Sequence, residues 1–278
     1  MKTSMMKKML CAATAAMMML AAGCSTSETA SKTENTSEDT SLQEVLDSGK
    51  LILGLDATFK PMGYTDENDE IVGFDIDLAK EVCKRMEIEL ELYGVNWETK
   101  ELDLNAGTID CIWNGLSVSD ERKQVMLMST PYMNNEMVFV VNGDSEIASQ
   151  ADLSGMTIAV QNGSTAQEIL AASDVITNGA TMMELGTNVE ALQQLELNMV
   201  DAVFLDSVVA NYEITSTGKN FKVLEDGLSQ EEYAIGFRKG DQALCDKVTE
   251  VLMEMKEDGT IAKISTEWFG SDITTLGK

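Results

Sequence analysis

The chain has no histidine anywhere in its 278 residues. That excludes a Ser–His–Asp triad and any zinc site built on imidazole. Positive charge is scarce as well: 20 lysines and arginines stand against 47 acids, a net charge of -27. A polyanionic partner would be repelled, so nucleic-acid binding is excluded. Long apolar runs are missing except one, roughly Met9 to Ala22. That run is too short to span a bilayer as a permanent helix. No transmembrane or kinase-like stretch follows it, so any signalling would need a separate partner. What is present is ample apolar material, 44% of residues, for one large domain or two small ones.

The N-terminus reads as an export signal. Lys2, Lys7 and Lys8 precede the apolar run, which ends in Leu20-Ala21-Ala22-Gly23-Cys24-Ser25. Small residues before a cysteine at that place resemble the lipobox of bacterial lipoproteins, with the leucine one step earlier than usual. The resemblance implies cleavage before Cys24 and a lipid on Cys24; the plain alternative is a secretory signal with an incidental cysteine. Removing residues 1–23 takes away three lysines and no acids, so the charge goes from -27 to -30. Cys11 leaves with the signal. Cys83, Cys111 and Cys245 then remain, too few for a closed disulfide framework. Cys83 on an apolar helix face and Cys111 inside a strand read as small core residues rather than nucleophiles.

Residues 25–41 hold ten serines and threonines among seventeen, with acids and no large apolar side chain. This composition is a flexible tether, given the bounds 24–41. Folding is expected to start near Leu42. A short helix to about Asp47 stops at Gly49, and Leu51–Leu55 is a buried strand ending at Asp56. The acidic turn Asp66–Glu70 lacks the spacing and central glycine of a calcium loop and reads as a solvated hairpin turn. No metal and no cofactor is expected. A helix from about Asp75 to Met86, a strand Ile88–Tyr93, Trp97, and a helix through Leu104 closed by Gly107 follow. Later come an extended run Met137–Val141, a strand Thr157–Val160, a helix Val189–Leu197, and strands Val200–Leu205 and Tyr233–Arg238. Helices Leu244–Met255 and Ile261–Trp268 end the chain. Alternating strands and helices mean α/β layers with mainly parallel strands.

One stretch organises this order: Asn114-Gly115-Leu116-Ser117-Val118-Ser119-Asp120-Glu121-Arg122. A strand, Ile109–Trp113, runs into it, and Ser119 followed by two acids is a helix-start signal. Arg122 then offers a planar fork that can grip a carboxylate. The alternative is a surface turn with a solvated arginine. A second candidate anion site is the helix start at Ser164-Thr165, where Ser164 with Gln167 and Thr165 with Glu168 have capping-box spacing. The two stretches belong to an internal echo. Leu104 to Ile112 matches Leu195 to Val203: a helix ending at Gly107 or Asn198, then an apolar-Asp-small-apolar strand. Carried forward, Gly115 and Asp206 fall at equivalent strand ends, the edge where open α/β sheets bind ligands.

These residues make the chain similar to the extracellular solute-binding proteins, family 3, of polar amino-acid ABC importers. The resemblance runs from about Leu51 to Gly270. It rests on Phe59-Lys60-Pro61, Gly73-Phe74-Asp75-Ile76-Asp77-Leu78-Ala79, Ile109-Asp110, Ser117 through Arg122, Ser129-Thr130-Pro131-Tyr132, Asp152-Leu153-Ser154-Gly155, Val200 through Asp206, Asp258-Gly259 and Trp268-Phe269-Gly270. It implies a two-lobed periplasmic-binding-protein-like fold of type II, two mixed-sheet lobes joined by two strands. Lobe 1 would be 42–135 plus 233–278, lobe 2 139–228, with hinges near 136–138 and 229–232. It also implies roles. Arg122 would clamp the ligand α-carboxylate, helped by backbone donors near Ser117 and at Thr165. Asp206 would take the α-ammonium with the Gly115 carbonyl and the Ser117 hydroxyl. Asp56, Phe59, Trp97 and Asn114 would line the side-chain pocket, Asp56 favouring a cationic or amide-bearing ligand unless it serves only a turn. The partners implied are a free amino acid, an ABC permease and its ATPase, and a membrane reached through Cys24, with the protein acting as a monomer. Asn198 in place of a common glycine, Ser119 for threonine and Asn114 for Ala or Ser depart from the usual pattern.

Two rival readings use the same scaffold. One is an enzyme like the related cyclohexadienyl dehydratases, which needs a positioned acid or base in the cleft, a part Asp56 could play. The other is a sensor module. An intact Arg122/Asp206 pair favours binding without turnover.

Overall fold

The computed structural model describes residues 39–277. The export signal, Cys24 and the tether up to residue 38 lie outside the described residues. The folded body begins earlier than the expected Leu42. Asp39 accepts hydrogen bonds from the Ser41 amide and hydroxyl and from the Ala243 amide at 2.6 Å, which staples this segment to the start of the helix Gln242–Glu257.

The main sheet has a mirrored order. From one edge to the other run Thr181–Leu185, Thr157–Gln161, Ala202–Asp206, Met133–Asn142, Ser229–Phe237, Cys111–Ser117, Lys50–Leu55 and Glu89–Gly94. The three outer strands on each side are parallel to one another. In each trio the first strand in sequence is central, the second is the edge and the third is inner. The inner strands are Cys111–Ser117 and Ala202–Asp206. The two long strands Met133–Asn142 and Ser229–Phe237 join the trios and pair antiparallel, with Ser229 opposite Met137 and Glu231 opposite Asn135. The sheet is therefore mixed rather than mainly parallel, because these joining strands pass between the halves in opposite directions.

The echo in sequence marks a real repeat. Gly107 and Asn198 both adopt left-handed backbone, φ 74 and φ 55, and each ends its helix there. The aspartate that follows then does the same job twice. Asp110 accepts from the Ile52 amide through Oδ2 at 2.8 Å while its own amide donates to the Ile52 carbonyl. Asp201 treats Thr157 identically, also at 2.8 Å. Each carboxylate satisfies a backbone donor where the inner strand has not yet joined its parallel neighbour.

Helices cover the sheet because their apolar faces need it. The helix Phe74–Arg85 buries Phe74, Ile76, Leu78, Ala79, Val82 and Cys83. The other half has its own core, where the Phe139 and Phe204 rings lie tilted at 37° with centroids 4.6 Å apart. Cys83, Cys111 and Cys245 are all buried and free. Burial pushes the Cys83 thiol up to about 12 and Cys245 up to about 11, so they are core residues and not nucleophiles. Elements that the sequence did not show include the edge strand Thr181–Leu185, the helix Ser207–Thr215 and the short strand Phe221–Val223. Among the described residues no helix is long and apolar enough to cross a membrane.

Candidate functional site

The carboxyl ends of four strands bring polar residues to one place. Asp56 follows Lys50–Leu55, Ser117 ends Cys111–Ser117, Gln161 ends Thr157–Gln161 and Asp206 ends Ala202–Asp206. Between them lies a small cavity of about 10 Å³ lined by Phe59, Trp97, Gly115, Ser117, Arg122, Gln161, Ser164, Thr165 and Asp206. That is space on the scale of one water, so the halves are closed on each other. Larger hollows of about 410 and 350 Å³ exist elsewhere, but they do not bring a buried cation and a buried carboxylate face to face.

Arg122 is 5% exposed and sits in the first turn of the helix Asp120–Val125. Ser119 caps that helix, its hydroxyl accepting from the Arg122 amide at 3.1 Å. The guanidinium Nη1 donates to the Ser117 carbonyl at 2.8 Å, and Nη2 reaches the Gly163 carbonyl of the other half at 3.4 Å. Burial pulls its pKa down, and Glu168, Glu101, Glu231 and Asp206 oppose that pull. The fork is thus fixed, buried and surrounded by negative charge.

Asp206 is 6% exposed. Its Oδ1 accepts from Asn135 Nδ2 at 2.8 Å and from the Tyr233 hydroxyl. Burial pushes its pKa up to about 7; the Tyr233 hydrogen bond and the Arg122 charge pull against this, while Glu231 adds to it. A buried carboxylate with two neutral donors gains much from a cation brought beside it.

Gly115 needs to be glycine. Its φ is +58, and a Cβ there would stand 2.7 Å from a Phe59 ring carbon. Its amide donates to Asp75 Oδ2 at 2.7 Å, which also accepts from the Tyr132 hydroxyl at 2.9 Å. Thr165 opens the helix Thr165–Ala171, capped by Ser164, whose hydroxyl accepts from the Gln167 amide. The expected reciprocal half of that box is displaced by one residue: Gln167 Oε1 accepts from the Gly163 amide, not from Ser164. Trp97 lies under a buried cation. Lys100, 2% exposed, holds its Nζ 4.8 Å from the indole centroid and donates to the Trp97 carbonyl at 2.9 Å and the Gly163 carbonyl at 3.0 Å. Burial, with Arg122 adding repulsion, pulls the Lys100 pKa down to about 8 against the pull of Glu101.

The structure therefore gathers Arg122, Asp206, Ser117, Gly115, Thr165, Phe59 and Trp97 around one cavity. It does not place Asp56 or Asn114 on the lining. Asp56 Oδ1 accepts from the Thr58 amide at 2.9 Å and hydroxyl at 2.7 Å, an Asx turn. Its Oδ2 accepts from Gln161 Nε2 at 2.7 Å across the two halves. Asn114 turns back to accept from the Asp56 amide at 3.0 Å. Gln161 is the lining residue that sequence reasoning missed, and it was findable, since it too is a polar residue at a parallel strand's carboxyl end.

A family model, bacterial extracellular solute-binding proteins, family 3, matches residues 51–271. The chain belongs to that family. The L-cystine-binding protein TcyA of Bacillus subtilis (strain 168) is 33% identical over 230 residues, which cover 81% of this chain and 83% of that protein. Among solved structures, Tv2483 bound to L-arginine has a TM-score of 0.83 at 32% identity, covering 87% of this chain and 99% of the other. A substrate-binding protein of an ABC uptake transporter from Streptococcus pneumoniae, with bound histidine, has a TM-score of 0.82 at 35% identity, covering 86% and 100%. The fold is the two-lobed periplasmic-binding-protein fold of those structures. These relatives are binding proteins.

Proposed function

We propose that this chain captures a free amino acid between its two halves and delivers it to the permease and ATPase of an ABC importer. One observation carries the reading: Arg122, in the helix that follows one inner strand, and Asp206, at the end of the other, are buried and line one cavity between two halves with the same strand order. The α-carboxylate binds the Arg122 fork, with backbone donors at Ser117 and Thr165. The α-ammonium binds Asp206, with the Gly115 carbonyl and the Ser117 hydroxyl. A zwitterion supplies one charge to each half, so it stabilises the closed form relative to the open one by contacts the open form cannot make. The hinge segments are near 136–138 and 229–232.

The ligand side chain is polar, cationic or amide-bearing. The Gln161 amide on the lining, with the Asp56 carboxylate behind it, supports that class. Relatives bound to arginine and histidine agree with it. The protein works as a monomer on the extracytoplasmic face, anchored through a lipid on Cys24, and is not an enzyme. A thermal-shift screen of the amino acids plus cystine tests the reading, because a ligand that binds only the native state raises its melting temperature. We expect one polar amino acid to give the largest shift, and Arg122→Ala to lose it. No shift with any of them would sink the reading.

One observation favours the dehydratase-like alternative. An Asp206 carboxyl pushed up to about 7 is tuned as a proton-transfer group would be. Incubation with prephenate or arogenate separates the two: we expect no product, and turnover would replace the receptor reading.

A further inference from the structure

This inference rests on the amino-acid reading above. Two hydroxyls from opposite halves converge on a single side chain, Glu231. Ser117 Oγ donates to Glu231 Oε2 at 2.7 Å, and Thr165 Oγ1 donates to the same oxygen at 3.4 Å. Both hydroxyls are buried and both belong to residues on the cavity lining. Glu231 itself is half-buried on the long strand Ser229–Phe237, opposite Asn135, which in turn donates to Asp206. Its charge reaches both anchors, holding the Arg122 pKa up and pushing that of Asp206 up. It also borders a more open hollow of about 340 Å³ lined in part by Ser119, Thr165, Glu168 and Gln230.

A hydroxyl is ambivalent: it has one hydrogen to give and lone pairs that accept. Its neighbours decide which it shows to a ligand. A carboxylate only accepts. With Glu231 as the shared acceptor, the hydrogens of Ser117 and Thr165 are committed, and each oxygen can offer the cavity only a lone pair. We propose that Glu231 is a positioning residue of the binding site, fixing the Ser117 and Thr165 hydroxyls as acceptors so that the ligand's ammonium is favoured beside Asp206. The same arrangement discriminates against a ligand that brings a second acceptor to that end of the cavity. An amide at this position could donate to the hydroxyls and turn their hydrogens into the cavity, so the chemistry requires a carboxylate and not its isostere.

Calorimetric titration tests this, with L-arginine as probe, or L-cystine where arginine gives no heat. Glu231→Gln should weaken binding roughly tenfold in the otherwise unchanged protein. In a Ser117→Ala background the same substitution should change affinity by no more than about twofold, because the hydroxyl it orients is gone. If Ser117→Ala alone removes measurable binding, Thr165→Val takes its place in the cycle. The melting temperature without ligand should stay within about 2 °C of the parent, which a structural role would not allow. Unchanged or tighter binding by Glu231→Gln would overturn the proposal; tighter binding would mean that Glu231 competes with the ligand carboxylate. An equal loss in both backgrounds would also overturn it. An unmodified protein that binds neither amino acid is a different result, and sinks the amino-acid reading on which the proposal rests.

Discussion

The two halves of the sheet share a frame and differ in what they place on it. In both, a helix ends on a left-handed residue, an aspartate ties the next strand to its neighbour, and the strand ends at the cavity. The position that carries Gly115 in one half carries Asp206 in the other. The glycine half brings the cations, Arg122 and Lys100, and has only backbone at that position. The aspartate half brings the carboxylate. The repeated part is structural and the divergent part sets the cation Arg122 in one half against the carboxylate Asp206 in the other. A pair of lobes that were identical at these ends could not read a zwitterion, since both would offer the same charge.

That contrast can be broken at its ends. Arg122→Ala and Asp206→Ala should each weaken amino-acid binding by about 100-fold or more, roughly 2.7 kcal/mol, and leave the protein folded. Binding within a few-fold of the parent by calorimetry in both variants would refute the clamp. Gly115→Ala should lower stability by roughly 2–3 kcal/mol in denaturant unfolding, since it combines a φ of +58 with a 2.7 Å approach to Phe59. An unchanged unfolding midpoint would mean this strand end is not built as described.

Acidity weakens only the aspartate half of the contrast. Asp206 has a folded-state pKa pushed up to about 7 by burial, and a ligand ammonium needs its ionised form. Affinity should therefore hold above pH 7 and fall about tenfold per unit of pH well below it. A flat profile between pH 5 and 8 would contradict this. The ligand-free protein should respond the other way. Burial raises Asp206 and Asp75 to about 7 each, from the ordinary carboxyl value of 3.8. Groups of that kind bind their proton more tightly when folded, so the stability they confer is complete below the unfolded pKa and is lost as pH rises through 7. The melting temperature without ligand should rise as pH falls from 8 towards 5. A fall over that window would count against both assignments.

The smallest effect compares the two repeated aspartates. Asp201→Ala should cost roughly 1 kcal/mol by stranding the Thr157 amide. Asp110→Ala should cost somewhat more, about 2 kcal/mol, because Arg238 also sits 3.5 Å from it. Equal and negligible losses would mean the echo is only a pattern in the sequence.

The parts of the fold legible in sequence were those with strong local signals. The helix Phe74–Arg85 showed its apolar spacing, and Gly107, Asn198 and Ser119 marked their turns and cap. The mixed character of the sheet followed only from the family resemblance and not from the alternation of elements, because antiparallel pairing of Met133–Asn142 with Ser229–Phe237 joins segments about ninety residues apart with no local trace. The helix Ser207–Thr215 escaped notice for a local reason. It has no clear apolar stripe, and the residue preceding it, Asp206, turns its side chain to Asn135 and Tyr233 instead of capping. At the site, strand-end position pointed to Gly115 and Asp206, and the same rule would have found Gln161. Asp56 was visible, and so was its turn, where Thr58 two residues on takes one of its oxygens; its other oxygen meets Gln161 across 105 residues with no local trace. Nothing local marks Glu231, which meets Ser117 across 114 residues of chain.

The central claim is that both charges of one amino acid are held, one by each half. Calorimetry on the unmodified protein with L-arginine, with its decarboxylated amine and with its deaminated acid asks this most directly. If the account is right, each truncated compound loses about 100-fold or more in affinity relative to arginine. Either compound binding within about threefold of the parent amino acid would show that one half contributes no charge to recognition.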